Sequence, residues 1–318
     1  MITRKSGDKE QEKQSAEESF HFDVQAYNDS ELEQASESFG EAEQSFDLGG
    51  DFKRAADSRA MIAAIEGQDG LLEQSVSSYR HAIQLYQDAG RLSDKAESLL
   101  AMGHVERQLG HLDQALEAYI MAHRLYQTLR RVQGLGHVAL ALGHIELQRT
   151  HLDYAAHHYQ EAIGYFRAAA DNTEIDALKS LANVERLLGS FSAAEVHCRL
   201  VLEKYRVSED VFGSIDALAD LGRIYLDAGR LDQASQTWVE ALNLARSAEY
   251  EEGEGDAILG LAEVDLRQNR VDQALLGAQA VLQAYTMRRY DRGIANAERL
   301  LAAIHQLARV PLGQPDSG

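Results

Sequence analysis

Apolar residues recur along most of the chain at steps of three and four positions, which is the spacing of one face of an α-helix. Leu99, Met102, Val105 and Leu109 form one such run. No window alternates apolar and polar residues as a half-buried strand does, and the chain contains only two prolines. The pattern therefore predicts an all-α fold of long helices.

The helical pattern repeats every 39 or 40 residues. The first column holds a small residue in each copy: Ala63, Gly103, Gly143, Ala182, Gly222, Ala262 and Ala302. A turn column follows: Gly70, Gly110, Thr150, Gly189, Gly229 and Asn269. A second small column follows the turn, and aromatic residues such as Tyr119 and Tyr126 come after it in most copies. Self-similarity at this period indicates a stacked repeat protein.

Each column has a mechanical interpretation. Small residues let two antiparallel helices approach closely, and Gly110 and its equivalents suit the left-handed residue that ends a helix. A polar residue follows three positions later in five copies: Asp113, Asp153, Ser192, Asp232 and Asp272. We expect each of these side chains to cap the next helix by accepting a backbone N–H.

This frame of small residue, glycine, alanine and aromatic resembles the tetratricopeptide repeat (TPR), in its longer 40-residue variety. The resemblance covers about residues 35–307. It implies a right-handed superhelical solenoid of about six to seven helix–turn–helix repeats with a C-terminal capping helix. In one column the sequence departs from the family, because acids replace the usual aromatic of the first helix: Glu66, Glu106, Glu146, Glu185 and Asp265. A structural ion-pair ladder is our main interpretation of that column, with His123 or Arg124 as candidate partners.

The repeat frame also predicts the boundaries of the chain's segments. Residues 1–19 are expected to be a disordered acidic tail, and residues 20–50 a degenerate N-terminal cap repeat in which 20–27 are an eroded first helix. Six repeats follow, at 51–90, 91–130, 131–170, 171–209, 210–250 and 251–290. A capping helix over 291–308 and a loose tail over 309–318 complete the prediction.

Composition narrows the classes of partner. A net charge of −20 disfavours nucleic acid, whose binding needs clustered Lys and Arg, and it disfavours an anionic membrane surface in the same way. The single cysteine, Cys198, leaves no internal disulfide framework and no cysteine zinc cluster. The sequence has neither an N-terminal apolar signal segment nor an apolar run long enough for membrane insertion. We expect a cytoplasmic, acidic protein.

In TPR solenoids the first helix of each pair lines a concave groove, and the resemblance implies the same face here. Positions offset by about one residue from the packing stripe give the candidate groove residues. The predicted partner-binding residues are His104, Arg107, His144, Lys179, Asn183, Arg186, Arg223 and Leu226. We expect Asn183, Arg186 and Arg223 to anchor a ligand, since an amide and two guanidinium groups suit a peptide backbone and carboxylates.

These features favour a non-enzymatic scaffold or adaptor that binds a peptide or helical segment of another protein in the groove. One alternative is a regulatory TPR protein that senses a ligand or peptide, and another is self-assembly into a homo-oligomeric scaffold. No catalytic motif appears on a suitable element, so we predict no catalytic residue, no cofactor and no metal. Nine of the twelve histidines lie between His81 and His158, which leaves a pH-sensitive groove or a metal role open.

Overall fold

A computed structural model describes residues 32–309, and these residues form fourteen α-helices. No strand occurs among them, so the predicted all-α fold is confirmed. The expected disordered tail over 1–19, the eroded helix over 20–27 and nearly all of the loose tail over 309–318 lie outside the described residues. The described chain divides into two compact units, one ending at Asn172 and one beginning at Thr173.

Each unit is a succession of antiparallel helices joined by short turns. Unit 1 contains α1 (Leu32–Gly49), α2 (Phe52–Gln68), α3 (Leu72–Asp88), α4 (Leu92–Gln108), α5 (Leu112–Leu129), α6 (Val132–Gln148) and α7 (Leu152–Ala169). Unit 2 contains α8 (Glu174–Leu187), α9 (Phe191–Val207), α10 (Val211–Asp227), α11 (Leu231–Ser247), α12 (Glu251–Arg267), α13 (Val271–Arg288) and α14 (Asp291–Arg309). From α2 onward, the even-numbered helices are the first helices of the pairs.

The turn column ends the first helices as the sequence predicts. Gly110 has a φ of 80°, in the left-handed region that glycine tolerates best. Thr150 and Asn269 take the same conformation at φ 61° and 60°, although a non-glycine residue is less suited to it. Residues of the turn column therefore adopt the left-handed conformation that reverses the chain between two packed helices.

Contacts between glycines and aromatic rings set how closely the two helices of a pair approach. A Cβ atom built on Gly143 would lie 2.4 Å from the ring of Tyr159, and one on Gly103 would lie 2.4 Å from the ring of Tyr119. Both tyrosines are completely buried. Only a residue without a side chain leaves room for the ring at these positions. The residue of the small column and the aromatic residue that follows it therefore pack against each other.

A second contact of the same kind joins consecutive pairs. The ring of Tyr126, near the end of α5, would lie 2.4 Å from a Cβ on Gly134, near the start of α6. Tyr205 and Gly213 repeat this contact in unit 2 at 2.5 Å. The last aromatic of each of these pairs is thus held by the first turn of the next pair, which continues the stack within a unit.

The prediction that Asp113 and its equivalents cap the second helices was wrong. Helix α5 begins at Leu112, so Asp113 lies inside its first turn, and the capping position falls on His111, which makes no side-chain capping bond. The turn is shorter than expected, because the helix begins two residues after the left-handed glycine. An acid in the first turn still favours the helix through the partial positive charge at its N-terminus.

Four of the five acids of the column form ion pairs among the described residues, as expected, but through different partners. Oε2 of Glu106 lies 2.9 Å from Nδ1 of His111, and its Oε1 accepts a 2.9 Å bond from Arg80 of the preceding pair. Glu146 contacts His151 at 2.8 Å. Asp265 contacts Arg270 at 2.8 Å in the same way. In these three copies the partner is the residue that precedes the second helix, rather than His123 or Arg124, and each pair fastens one turn. Glu185 instead contacts His197 inside α9 at 2.7 Å, and Oε2 of Glu66 has no hydrogen-bond partner among the described residues.

We predict that Gly143→Ala lowers the free energy of unfolding by about 1–3 kcal/mol, because the added methyl group overpacks the contact with Tyr159. Urea unfolding followed by circular dichroism measures the change. Gly164→Ala is the matched control, since Gly164 is exposed in α7 with no atom within 4 Å of the added Cβ. The control should gain up to about 1 kcal/mol from helix propensity. Equal effects of the two substitutions would contradict the close-approach account.

Candidate functional site

The first helices of unit 2 form one wall of a large cavity. Its volume is about 640 Å³, and nearly all of its lining comes from α8, α10, α12 and α14, with Trp238 of α11 behind them. The residues that matter for its chemistry are Lys179, Asp216, Asp220, Arg223, Trp238, Tyr250, Glu252, Asp256, Glu263, Tyr290, Arg292 and Arg299. The cavity is therefore rich in both acids and bases, on the face that the repeat pattern assigned to the groove.

Three aspartates face this cavity without a cation in ion-pair contact. Among the described residues, Asp216 and Asp220 form no ion pair, and Asp256 accepts a 3.2 Å hydrogen bond from the hydroxyl of Tyr285. The pKa of Asp220 is raised, chiefly because the surrounding protein desolvates its carboxylate, and Lys179 partly offsets the rise. Burial also raises the pKa values of Asp216 and Asp256. These carboxylates are not well stabilised by the protein's own groups.

Trp238 forms the aromatic part of the same cavity. It packs so tightly between α10 and α12 that a Cβ on Gly222 or Gly260 would lie 2.6 or 2.3 Å from its ring. Its side chain is only 1% exposed, and its indole N–H has no hydrogen-bond acceptor among the described residues. A buried donor without an acceptor costs free energy, and this N–H lies against Gly222, where a ligand in the cavity does not reach it.

The predicted anchor of Asn183, Arg186 and Arg223 is assembled, but part of it is already engaged within the protein. The three residues line a small cavity of about 40 Å³ together with Lys179 and Asp220. Arg186 binds Asp227 of α10 and donates a 3.0 Å hydrogen bond to Oδ1 of Asn183. Arg223 lies 3.8 Å from Glu263, a distance at which an exposed pair contributes little. Lys179 and Arg223 line both cavities, so they are the predicted residues best placed to meet a ligand.

The prediction that Leu226 contacts a partner was wrong, because its side chain is only 2% exposed. A step of three residues from the exposed Arg223 turns about 60° around the helix, and this step carries Leu226 into the core of unit 2. A surface ligand cannot reach it without unpacking α10.

The predicted groove residues of unit 1 are half-buried on α4 and α6. Nδ1 of His104 lies 2.9 Å from the hydroxyl of Tyr119, and His144 contacts Tyr159 in the same way at 2.8 Å. Burial, together with Arg107, lowers the pKa of His104 to about 4. His104 therefore stays neutral between pH 5.5 and 7.5 and does not act there as a pH switch. Within residues 32–309, no group of three His, Cys, Asp or Glu side chains is placed to hold a metal ion.

Comparison with known proteins bears on the fold. A sequence model of the family "Soluble NSF attachment protein, SNAP", a TPR-like helical-repeat family, matches residues 4–122. No curated protein sequence is detectably similar to the chain. None of the helices among the described residues has the length and apolarity needed to cross a bilayer.

Several solved structures share the architecture. The apo form of RapI superposes with a TM-score of 0.68 at 13% identity, over 91% of this chain and 99% of RapI. A signal-transduction ATPase from Pyrococcus horikoshii with a tetratricopeptide repeat sensor gives 0.66 at 14% identity, over 94% of this chain and 50% of that one. A Rap protein complexed with Competence and Sporulation Factor gives 0.54 at 14% identity, over 92% and 98%. The chain therefore has the TPR fold.

We predict that Asp220→Asn raises the melting temperature at pH 7 by about 1–3 °C, because it removes a charge that the protein partly desolvates. Screening by solvent keeps the change in melting temperature small. The folded-state pKa is raised, so the wild-type carboxylate opposes folding above that pKa and ceases to do so once it is protonated. The gain should therefore disappear as the pH falls to about 4. Thermal unfolding across this range measures it. The control is Asp232→Asn, outside the cavity, which removes a first-turn charge that favours its helix and so should not raise the melting temperature. A gain that persists at pH 4 would contradict the electrostatic explanation.

Proposed function

We propose that the cavity of unit 2 binds an extended peptide or an unstructured segment of another protein, and that the protein works as a non-enzymatic adaptor. The observation that carries this proposal is the 640 Å³ cavity lined by successive first helices. A surface formed by parallel repeats offers similar groups at regular intervals, which suits a chain better than a compact small molecule.

The chemistry of the lining supports a peptide. Carboxylates, guanidinium groups and the ammonium group of Lys179 can pair with the amides and charged side chains of a peptide. Asp216 and Asp220 form no ion pair among the described residues, so their carboxylates can accept hydrogen bonds from a ligand.

The neighbours in fold point the same way. One of them is a Rap protein in complex with Competence and Sporulation Factor, and another carries a repeat domain described as a sensor. These similarities favour a second candidate of the same kind, a regulator in which a bound peptide changes the arrangement of the repeats. The two candidates share the binding step and differ in its consequence.

We predict that Ala219→Trp weakens peptide binding by obstructing part of the cavity. Ala219 lines the cavity on α10, and its bulky replacement lies in the path of a bound chain. Random peptides displayed on phage would be selected on the wild-type protein, and synthetic copies of the winners would be titrated by calorimetry. The affinity should fall by at least about tenfold, or about 1.4 kcal/mol.

The matched control is Ala280→Trp, the same substitution at an exposed position of α13 outside the cavity lining. It should bind the selected peptides as the wild type does. Failure to enrich any peptide, or equal binding by the two tryptophan variants, would refute the proposed site.

A further inference from the structure

A buried tyrosine fixes the orientation of a histidine on the first helices of unit 1. Nδ1 of His104 on α4 lies 2.9 Å from the hydroxyl of Tyr119, and Arg107 lies beside the same hydroxyl as a hydrogen-bond donor. Burial raises the pKa of Tyr119 to about 12, so the hydroxyl keeps its hydrogen at neutral pH. Because a guanidinium group can only donate, the hydroxyl donates to Nδ1 of His104.

This contact decides which nitrogen of His104 carries the hydrogen. The imidazole is neutral at pH 7, since burial and neighbouring bases lower its pKa to about 4. A neutral imidazole has one N–H, and because Nδ1 accepts, the hydrogen lies on Nε2. Nε2 is neither hydrogen-bonded within the described residues nor enclosed by them. Its N–H is therefore open to a ligand.

Arg107 adds a positive charge to the same face of α4, three residues after His104. Its Nε is enclosed by the protein, but its terminal nitrogens are not, and it forms no ion pair with a described residue. The equivalent arginine of unit 2, Arg186, binds Asp227, which lies 41 residues later. The residue 41 positions after Arg107 is Gln148, whose amide carries no charge. We call His104 and Arg107 the donor pair.

The charged groups around the donor pair are basic. Arg107, His144 and His137 are the neighbours that add to the lowering of the pKa of His104. Helix α6 carries His137 at the repeat position that Asp216 holds in unit 2. This face of unit 1 therefore has bases where the cavity of unit 2 mixes bases with acids.

The acids that lie close in sequence do not neutralise the donor pair. Glu106 is buried and already binds His111 and Arg80. Glu97 lies seven residues before His104, which is about 10 Å away along the helix. The N–H groups of the donor pair are thus left for an acceptor from outside the protein.

The next first helix repeats the contact between tyrosine and histidine. Nδ1 of His144 lies 2.8 Å from the hydroxyl of Tyr159. The two pairs of rings have nearly the same geometry, with centroids 5.4 and 5.5 Å apart and planes at 66° and 61°. Leu100 and Leu140, one turn before the two histidines, are half-buried. A chain that crosses α4 and α6 therefore meets apolar surface beside the imidazole groups.

We propose that unit 1 carries a second binding site, in which the donor pair holds the side-chain oxyanion of an acidic peptide, either a carboxylate or a phosphate group. The donor pair offers N–H groups without a carboxylate beside them, and such groups bind an anionic oxygen and not a cation. The site goes beyond the proposed function, because it uses other helices and another ligand chemistry. Since the net charge of −20 repels an acidic peptide at long range, binding of one requires a local site.

The test uses short Gly-Ser peptides that are blocked at both ends and differ in one central residue: glutamate, glutamine, phosphoserine or serine. Calorimetry at pH 7 and about 0.15 M salt, where distant charges are screened, measures each affinity. We predict that the glutamate peptide binds at least about tenfold more tightly than the glutamine peptide, and the phosphoserine peptide at least about tenfold more tightly than the serine peptide.

Two substitutions locate the site. Arg107→Gln should remove at least about tenfold of the affinity for the anionic peptides, because it deletes the charged donor. His104→Asn should remove about threefold, since asparagine keeps an acceptor near Tyr119 and loses the Nε2–H. The matched control is Arg124→Gln, which removes an exposed charge from the second helix α5 and should leave the affinity unchanged. Circular dichroism checks that each variant is folded.

NMR of the wild-type protein labelled at its histidine ring nitrogens tests the donor without a substitution in the bound complex. His104, assigned by the signal that His104→Asn lacks, should be the Nε2–H tautomer. Its Nε2 signal should shift when an anionic peptide is added. A hydrogen on Nδ1, or no shift on binding, would overturn the assignment of His104 as a donor.

The outcomes of the titrations are distinct. Tighter binding of only one anionic peptide supports the site and identifies its group. Equal affinity within both matched peptide pairs, or equal loss in Arg107→Gln and Arg124→Gln, would overturn the inference. Binding that Ala219→Trp weakens and Arg107→Gln does not would also overturn it, because the peptide would then lie in the cavity of unit 2, as the proposed function states.

Discussion

The close approach of paired helices, set by a glycine beneath an aromatic ring, is the constraint on which the rest of the structure depends. Gly143 beneath Tyr159 fixes the distance within a pair, and Gly134 beneath Tyr126 fixes the distance to the next pair. The glycine–ring contact within a pair recurs at Gly103, Gly143 and Gly222, and alanine fills the same column in the other copies. Small residues at this period let successive first helices lie on the same face within a unit, and in unit 2 that face carries the cavity.

The acids of the chain divide into two groups by their partners. Most of those in the repeating column, such as Glu106, are paired with a neighbouring base. In the fifth repeat Tyr225 stands in that column, and Glu195 of the preceding helix supplies the missing carboxylate by accepting bonds from Tyr225 and Arg230 at 2.8 Å. Among the acids of the cavity, Asp216 and Asp220 form no ion pair with a described residue, whereas Glu263 lies 3.8 Å from Arg223.

Much of the fold could be predicted from the sequence, because the features that specify it are local and repeat. The left-handed turn at Gly110 and the packing of Tyr119 follow from the residue types at fixed offsets. The prediction that Asp113 caps a helix was wrong because the repeat pattern does not fix the residue at which the helix begins. The same pattern fits a helix that begins two residues earlier or later. The column that contains Gly134 and Gly213 was a signal in the sequence that went unused, and it would have revealed the contact between pairs.

The binding face was harder to predict, because it depends on small rotations about each helix and on side chains from distant repeats. The offset rule correctly placed Lys179 and Arg223 on the cavity, yet it also assigned the buried Leu226 to the surface. It could not show that Arg186 is engaged by Asp227. Trp238, identified in the sequence only as a packing residue, also lines the cavity, and only the three-dimensional arrangement reveals this position.

Hydrogen–deuterium exchange of the protein, alone and saturated with a phage-selected peptide, tests the central claim most directly. Exchange reports local opening along the backbone. The account predicts slower exchange in α10 and α12, whose residues supply most of the cavity's acids, with little change in α9, α11 and α13. Protection confined to the second helices, or found in unit 1 alone, would contradict the claim that the cavity of unit 2 is the binding face.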